Sequence, residues 1–136
     1  EHDITYANIT SENMGINELE MKSVVKQSPL IEYDNLEQKW KWYDINELKF
    51  SNKIDMLIVD GPPRITQELA RYPAIPILHE YFSDRFTIFL DDSKRDDEAI
   101  IIQKWIVFLE TNKYKVKIEN FINYEKGMTI LQVYRC

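Results

Sequence analysis

Two apolar runs in this sequence end abruptly in aspartate, and they constrain the fold more than any other feature. The first is IDMLIV at residues 54–59, which is followed by Asp60 and a stiff Gly-Pro-Pro turn. The second belongs to FTIFLDD at residues 86–92, which ends in Asp91 and Asp92. Runs that are apolar at consecutive positions are typical of strands buried on both faces, as in parallel sheets covered by helices. We therefore expect two buried strands that each deliver carboxylates to their carboxyl ends.

The remaining segments predict helices that alternate with strands. In the first part of the chain we expect a helix over 4–14 ended by a left-handed Gly15, a strand over 21–27, and a hairpin or extended loop over 30–43. After the first apolar run we expect helical pieces over 65–82, with a helix from about Pro73, and then a strand over 85–90. The chain then continues with an expected helix over 96–111 and antiparallel strands over 113–122 and 128–134. This order indicates an α/β fold with a largely parallel sheet. Ligands of such sheets bind outside the carboxyl ends of the strands.

Length and charge restrict the function further. The 136 residues suit one domain, and the net charge of −6 argues against a protein that grips nucleic-acid phosphates. The single cysteine, Cys136, has no internal disulfide partner, which favours a reducing, cytoplasmic location. No signal peptide is visible, and no apolar run approaches the roughly 20 residues that a membrane-spanning helix needs.

The carboxylates at the two strand ends predict a site if the strands are neighbours, because their ends then lie about 5 Å apart. Converging carboxylates repel unless a proton or cation relieves them, and hard oxygen ligands suit Mg²⁺, Mn²⁺ or Ca²⁺. The alternative is that these aspartates cap a helix or close a turn. Lys94 and Arg95 beside them would then supply the neutralising charge. Both interpretations stay open at this point.

Other residue types that often carry chemistry favour packing roles here. His79 falls in the expected helix after Pro73, where a packing or surface histidine is commoner than a catalytic base. Trp40, Trp42 and Tyr43 favour a hairpin that covers the core over a platform that stacks on a ligand ring.

Three segments together resemble the second half of class I S-adenosylmethionine-dependent methyltransferases, which have a Rossmann-like fold. These segments are LIVDGPP at 57–63, LARYPAIPIL at 69–78 and IFLDDSKRDDE at 88–98. EHD at 1–3 is similar to the end of the family's second strand, and WKWYD at 40–44 fits the segment before the fourth strand. The expected antiparallel pair fits the last two strands, so the resemblance covers essentially the whole chain.

The resemblance implies a methyl transfer from S-adenosylmethionine to oxygen on a small molecule or saccharide. Glu1 would bind the cofactor ribose, with Asp3 and Ser28 as further cofactor-binding residues. Asp60 would lie beside the methionine end of the cofactor and would be catalytic together with Asp91. Asp60, Asp91 and Asp92 match the aspartates that hold a divalent ion such as Mg²⁺ in metal-dependent O-methyltransferases of this fold. Such an ion would orient acceptor oxygens and lower the pKa of the attacking hydroxyl.

One departure from the family is the missing glycine-rich cofactor loop. The three glycines, Gly15, Gly61 and Gly127, cannot form a G-x-G turn. We therefore expect residues 1–136 to be a single partial domain that lacks the family's first strand and by itself binds the cofactor poorly. A fragment of a longer enzyme is the first explanation. A second chain that completes the sheet, or a natural remnant that repairs it by dimerising, are the alternatives.

Two rival functions follow from the same residues. A degenerate methyltransferase-like domain could serve as a noncatalytic binding or assembly module. A nucleic-acid methyltransferase is disfavoured, because the chain is acidic and DGPP differs from the N/D-P-P-Y/F turn common where a base amino group is methylated.

Overall fold

The computed structural model describes residues 1–34, 38–121, 123 and 125–136. These residues divide into two compact units, Glu1–Leu48 and Lys49–Cys136. We predicted that residues 1–136 form a single partial domain. This depends on how the two units combine, so it stays a prediction. Within the described ranges, none of the helices has the length and apolar character needed to cross a membrane.

The first unit begins with helix α1, Ile4–Ile16, which confirms the helix predicted over 4–14. Asp3 caps it, because its Oδ1 accepts hydrogen bonds from the backbone N–H groups of Thr5 and Tyr6. The prediction that Gly15 ends the helix in a left-handed conformation is wrong. Gly15 lies inside α1, and the left-handed residue is Glu18, with φ 55°, whose N–H donates to the Gly15 carbonyl.

The strand predicted over residues 21–27 is also wrong, because this segment forms a turn followed by irregular chain. The N–H groups of Lys22 and Ser23 both donate to the Leu19 carbonyl, which closes the turn. Met21 and Val24 are 95% and 74% exposed, so the apolar positions of this segment have no core to enter.

A two-stranded antiparallel hairpin confirms the hairpin predicted over 30–43. It consists of β1, Leu30–Tyr33, and β2, Trp40–Tyr43, with Leu30 opposite Tyr43. Trp40 and Trp42 are both buried, which agrees with a role in covering the core. Residues 35–37 of the predicted hairpin lie outside the described residues.

The described residues of the second unit form a mixed four-stranded sheet with helices. The elements are β3, Ile54–Val59; α2, Ala74–Leu78; β4, Phe82–Asp91; α3, Asp96–Thr111; β5, Tyr114–Phe121; and β6, Met128–Arg135. The strand order is β3-β4-β6-β5, where β3 and β4 are parallel and the other two pairs are antiparallel. The structure confirms the predicted helix over 96–111, the helix after Pro73 and the closing pair of antiparallel strands. Residue 122, the last residue of the strand predicted over 113–122, lies outside the described residues.

Helix α3 begins where three acids stand in its first turn, Asp96, Asp97 and Glu98, a position that the helix dipole favours for negative charge. Its inward side carries Ile101, Trp105 and Leu109, all fully or almost fully buried. Trp105 Nε1 donates to the Tyr72 carbonyl at 2.7 Å, so the largest core side chain has its polar atom satisfied.

The sheet is buried on one face. Val59, Leu90 and their neighbours along β6 share that face by register, and Ile88, Leu131 and Val133 on it are fully buried. On the opposite face Met56 and Ile58 are 58% and 68% exposed. The prediction that the run 54–59 is buried on both faces is therefore wrong. β3 is also an edge strand of the sheet, because it pairs with β4 alone among the described strands.

Candidate functional site

The parallel pairing of β3 and β4 brings the predicted carboxylates to one edge of the sheet. Val59 lies opposite Leu90, so Asp60 and Asp91 follow neighbouring strand ends. Asp92 adopts a left-handed conformation with φ 57°, which turns the chain and lets two sequence neighbours face the same site. One carboxylate oxygen from each of Asp60, Asp91 and Asp92 lies within 4.8 Å of the other two. The predicted convergence of the three carboxylates is confirmed.

The three aspartates differ in their access to solvent. The Asp60 side chain is 66% exposed, whereas the Asp92 side chain is 5% exposed and Asp91 is half-buried. Asp60 and Asp91 can therefore meet a ligand directly. The Asp92 side chain is too buried for direct contact with a ligand.

An arginine that the sequence argument did not identify stands among these carboxylates. Arg71 lies in the segment before α2, and its side chain is 6% exposed. Its Nη2 is 3.0 Å from Asp60 Oδ1 and 3.1 Å from Asp92 Oδ2. Its Nη1 donates to the Asp91 carbonyl at 2.8 Å and lies 3.5 Å from Glu98 Oε1. The one available signal was a charged residue within the otherwise apolar LARYPAIPIL segment.

A second arginine completes the neutralisation of the buried acids. Arg95 Nη2 lies 2.7 Å from Asp92 Oδ2, and Arg95 Nη1 lies 3.8 Å from Glu98 Oε1. Burial raises the pKa of the Glu98 carboxyl, and the positive charges of Arg71 and then Arg95 oppose that rise. The alternative interpretation is thus supported for Arg95. Lys94 Nζ instead donates to a backbone carbonyl.

Two buried carboxylate oxygens of this cluster accept no hydrogen bond from the described residues. They are Asp92 Oδ1 and Glu98 Oε2. The ammonium of Lys126 lies 3.9 Å from Asp92 Oδ1, at the limit of an ion pair. These two oxygens lack a hydrogen-bond donor among the described residues, so the nearby cations compensate the charge of their carboxylates without satisfying every acceptor atom.

The carboxylates offer the oxygen ligands that a divalent ion prefers, but two of them already contact a cation. An ion bound to Asp60 and Asp92 would lie close to the guanidinium of Arg71. Metal binding by Asp60, Asp91 and Asp92 stays a prediction, and Arg71 opposes it.

The residues predicted to bind the cofactor lie in the first unit. The Glu1 carbonyl accepts the N–H of Ser28 at 2.7 Å, which brings these two residues together. Glu1 Oε1 accepts the N–H of Asp3 at 2.8 Å and lies 3.0 Å from a ring nitrogen of His2. The Ser28 hydroxyl donates to the Asp44 carbonyl at 2.6 Å.

Asp3 has a structural task as the cap of α1. Its hydrogen bonds from the backbone N–H groups of Thr5 and Tyr6 hold the pKa of its carboxyl below the ordinary range. The cofactor roles of Glu1, Asp3 and Ser28 stay predictions. Glu1, one-third exposed, is the most accessible carboxylate of the group.

A small pocket of about 140 Å³ opens beside Ser28. Its lining residues are Lys26, Gln27, Ser28, Pro29, Asp44, Glu47 and Leu48. Sites for drug-sized ligands measure about 300–1,000 Å³. This pocket therefore has room for one part of a nucleoside cofactor only.

His79 has the packing role that the sequence favours. Its Nδ1 lies 2.9 Å from the Pro76 carbonyl, and its ring packs edge-on against Phe108 at 5.4 Å between centroids. It lies outside the carboxylate cluster and takes no part in the chemistry derived below.

Comparison with known proteins identifies a fold. No protein-family model and no curated protein matches the chain. The crystal structure of a Klebsiella pneumoniae protein described as a "putative O-methyltransferase" matches with a TM-score of 0.64 at 13% sequence identity. The match covers 98% of this chain and 60% of that chain. The chain thus has an α/β fold, with a mixed sheet flanked by helices, that matches a methyltransferase-like Rossmann fold.

Proposed function

We propose that this chain is part of an S-adenosylmethionine-dependent methyltransferase that methylates an oxygen of a small molecule or saccharide. The observation that carries the proposal is the placement of Asp60 and Asp91 at adjacent carboxyl ends of two parallel strands. In open α/β sheets this edge is where ligands bind. The likeness to the Klebsiella protein supports the fold on which such a site is built.

In this proposal Glu1 accepts hydrogen bonds from the cofactor ribose, and the neighbouring Ser28 and Asp3 shape the same region. S-adenosylmethionine supplies a methyl group bound to a positively charged sulfur. We assign to the Asp60 carboxylate the stabilisation of that positive charge and a contact with the acceptor. The contact between Glu1 and Ser28 supports this assignment.

The acceptor is handled by the two accessible carboxylates. Asp60 and Asp91 accept hydrogen bonds from acceptor hydroxyls and orient one oxygen toward the methyl group. One of them receives the proton that this hydroxyl loses as its oxygen becomes methylated. Asp92 is too deeply buried to touch the acceptor and serves by fixing the surrounding charges.

The open face and edge of β3 suggest how the site is completed. Met56 and Ile58 leave apolar surface exposed, and the chain spans 60% of the Klebsiella protein that it matches. We propose that a further segment, a second chain or a second copy covers this surface. In keeping with the sequence expectation, we place the assembled protein in the cytoplasm.

The test is an assay of S-adenosylhomocysteine formation by the full-length protein with a panel of hydroxylated small molecules and saccharides. We expect product with at least one acceptor and a loss of about tenfold or more in Asp60→Asn. Asp55→Asn is the matched control, because Asp55 is an exposed acid on β3, the strand that Asp60 follows. Equal activity of both variants would contradict the assignment of Asp60.

A noncatalytic binding module is the second candidate. The pairing of Arg71 with Asp60 and Asp92 favours it, because it already neutralises charges that a catalytic site would use. A folded full-length protein that neither binds nor consumes S-adenosylmethionine would support this candidate over the enzyme.

A further inference from the structure

The carboxylate cluster contains its own cation. We infer that the guanidinium of Arg71 is the resident positive charge of this site, and that Asp60, Asp91 and Asp92 take no divalent ion while it is present. The inference deepens the proposed function, since it makes the methyl transfer independent of metal. Its test measures ion binding alone, so it can fail or succeed separately from the activity.

Arg71 Nη2 already contacts two of the three carboxylates. This one nitrogen lies 3.0 Å from Asp60 Oδ1 and 3.1 Å from Asp92 Oδ2. A Mg²⁺ or Ca²⁺ ion would bind carboxylate oxygens at about 2.0–2.6 Å. An ion bound to these two oxygens would therefore lie close to the same nitrogen, and its charge would repel a guanidinium group that is only 6% exposed.

The Arg71 side chain is also held on its other side, so it cannot easily move away from the carboxylates. Its Nη1 is held by the Asp91 carbonyl at 2.8 Å and lies 3.5 Å from Glu98 Oε1. The side chain is 6% exposed, and an arginine does not lose its proton in proteins. To make room for an ion, the protein would have to bury this charge without its partners.

The positive charge of the surrounding side chains also opposes the binding of a metal ion. Arg95 contacts Asp92 and approaches Glu98, and the Lys126 ammonium lies 3.9 Å from Asp92 Oδ1. Positive side chains thus approach Asp92 from three elements of the chain. Asp92, one of the three carboxylates of the predicted metal site, is therefore already paired with positive charge.

Arg71 is consequently a positioning residue. It fixes the exposed Asp60 carboxylate to the end of β4 and supplies the positive charge that a metal would otherwise bring to the strand ends. An acceptor then needs hydroxyl groups that donate to Asp60 and Asp91, and it needs no pair of oxygens that chelate an ion.

The experiment is a Mn²⁺ titration of the full-length protein, followed by the electron paramagnetic resonance signal of free Mn²⁺. We expect wild type and Asp91→Asn to bind Mn²⁺ equally, because the cluster holds no ion while Arg71 is present. We expect Arg71→Gln to gain one Mn²⁺ site that is at least about tenfold tighter than any wild-type binding. Arg64→Gln is the control, because Arg64 pairs with Asp97 and its side chain is 65% exposed.

Two results would overturn the inference. One is wild-type Mn²⁺ binding that Asp91→Asn abolishes, and the other is a folded Arg71→Gln protein that gains no site. If Arg71→Gln does not fold, the comparison of wild type with Asp91→Asn decides: binding lost in the variant overturns the inference, and the absence of such binding supports it.

Discussion

Arg71 and Asp92 form a buried ion pair that joins the segment before α2 to the end of β4. The Arg71 Nη2 and Asp92 Oδ2 atoms are 3.1 Å apart, and the two side chains are 6% and 5% exposed. Asp92 holds its side chain there from a left-handed backbone conformation. This pair stabilises the geometry in which Asp60 and Asp91 face solvent.

The substitution Asp92→Asn should therefore destabilise the protein. Asparagine tolerates the left-handed conformation, so the change removes charge with little backbone strain. Removing the Asp92 charge leaves the buried Arg71 with less compensating negative charge, since only Asp60 and Glu98 remain, and we expect a loss of about 3 kcal/mol in the free energy of unfolding. Urea unfolding measures it, with Asp91→Asn as the control that costs less than about 1 kcal/mol. Equal losses in the two variants would show that the pair does not stabilise the fold.

Glu98 should make stability depend on pH. Burial raises the pKa of its carboxyl above the ordinary value of 4.5, so between those two pKa values the folded state binds more protons than the unfolded state. The contribution of Glu98 to stability is therefore largest below the ordinary pKa and falls as pH rises through this interval.

The measurement is urea unfolding of wild type and Glu98→Gln across pH values from about 4 to about 7. We expect the wild type to lose stability relative to the variant as pH increases. A relative gain would mean that Arg71 and Arg95 outweigh the cost of burial at this carboxyl.

The open face of the sheet predicts different costs at two adjacent positions of β3. Ile58 is 68% exposed and Val59 is 3% exposed. In the 136-residue chain, Ile58→Thr should change the free energy of unfolding by less than about 0.5 kcal/mol. Val59→Thr buries a hydroxyl and should cost about 1–3 kcal/mol. A cost at Ile58 as large as about 1–3 kcal/mol would indicate that this side chain is covered in solution, and sedimentation of the same samples would show whether a second copy covers it.

The sequence was most informative where one local pattern decided the outcome. The acids at its start and its high apolar content predicted α3 over residues 96–111, and the structure has the helix at Asp96–Thr111. The convergence of Asp60 with Asp91 followed from the parallel pairing of their strands. The helix depends on a local pattern that a sequence carries directly, whereas the adjacency of the two strands was expected from the resemblance to the methyltransferase family.

The remaining features depend on which parts of the chain meet. Arg71 lies 20 residues from Asp91 in sequence, and no spacing rule relates an arginine before one helix to a carbonyl at a strand end. The apolar run at 54–59 could not reveal that one of its faces lies open, because periodicity does not show which covering layers are present. The exposed segment after Leu19 failed as a strand for the same reason, since its apolar residues found no core.

Calorimetric titration of S-adenosylhomocysteine into the full-length protein tests the central claim most directly. Asp60→Asn is the informative variant, because Asp60 is 66% exposed and an amide oxygen can still accept the Arg71 hydrogen bond. The account predicts binding by the wild type and by Asp55→Asn, and binding weakened about tenfold in Asp60→Asn. A folded wild-type protein that gives no binding heat, or an Asp60→Asn variant that binds as well as wild type, would contradict it.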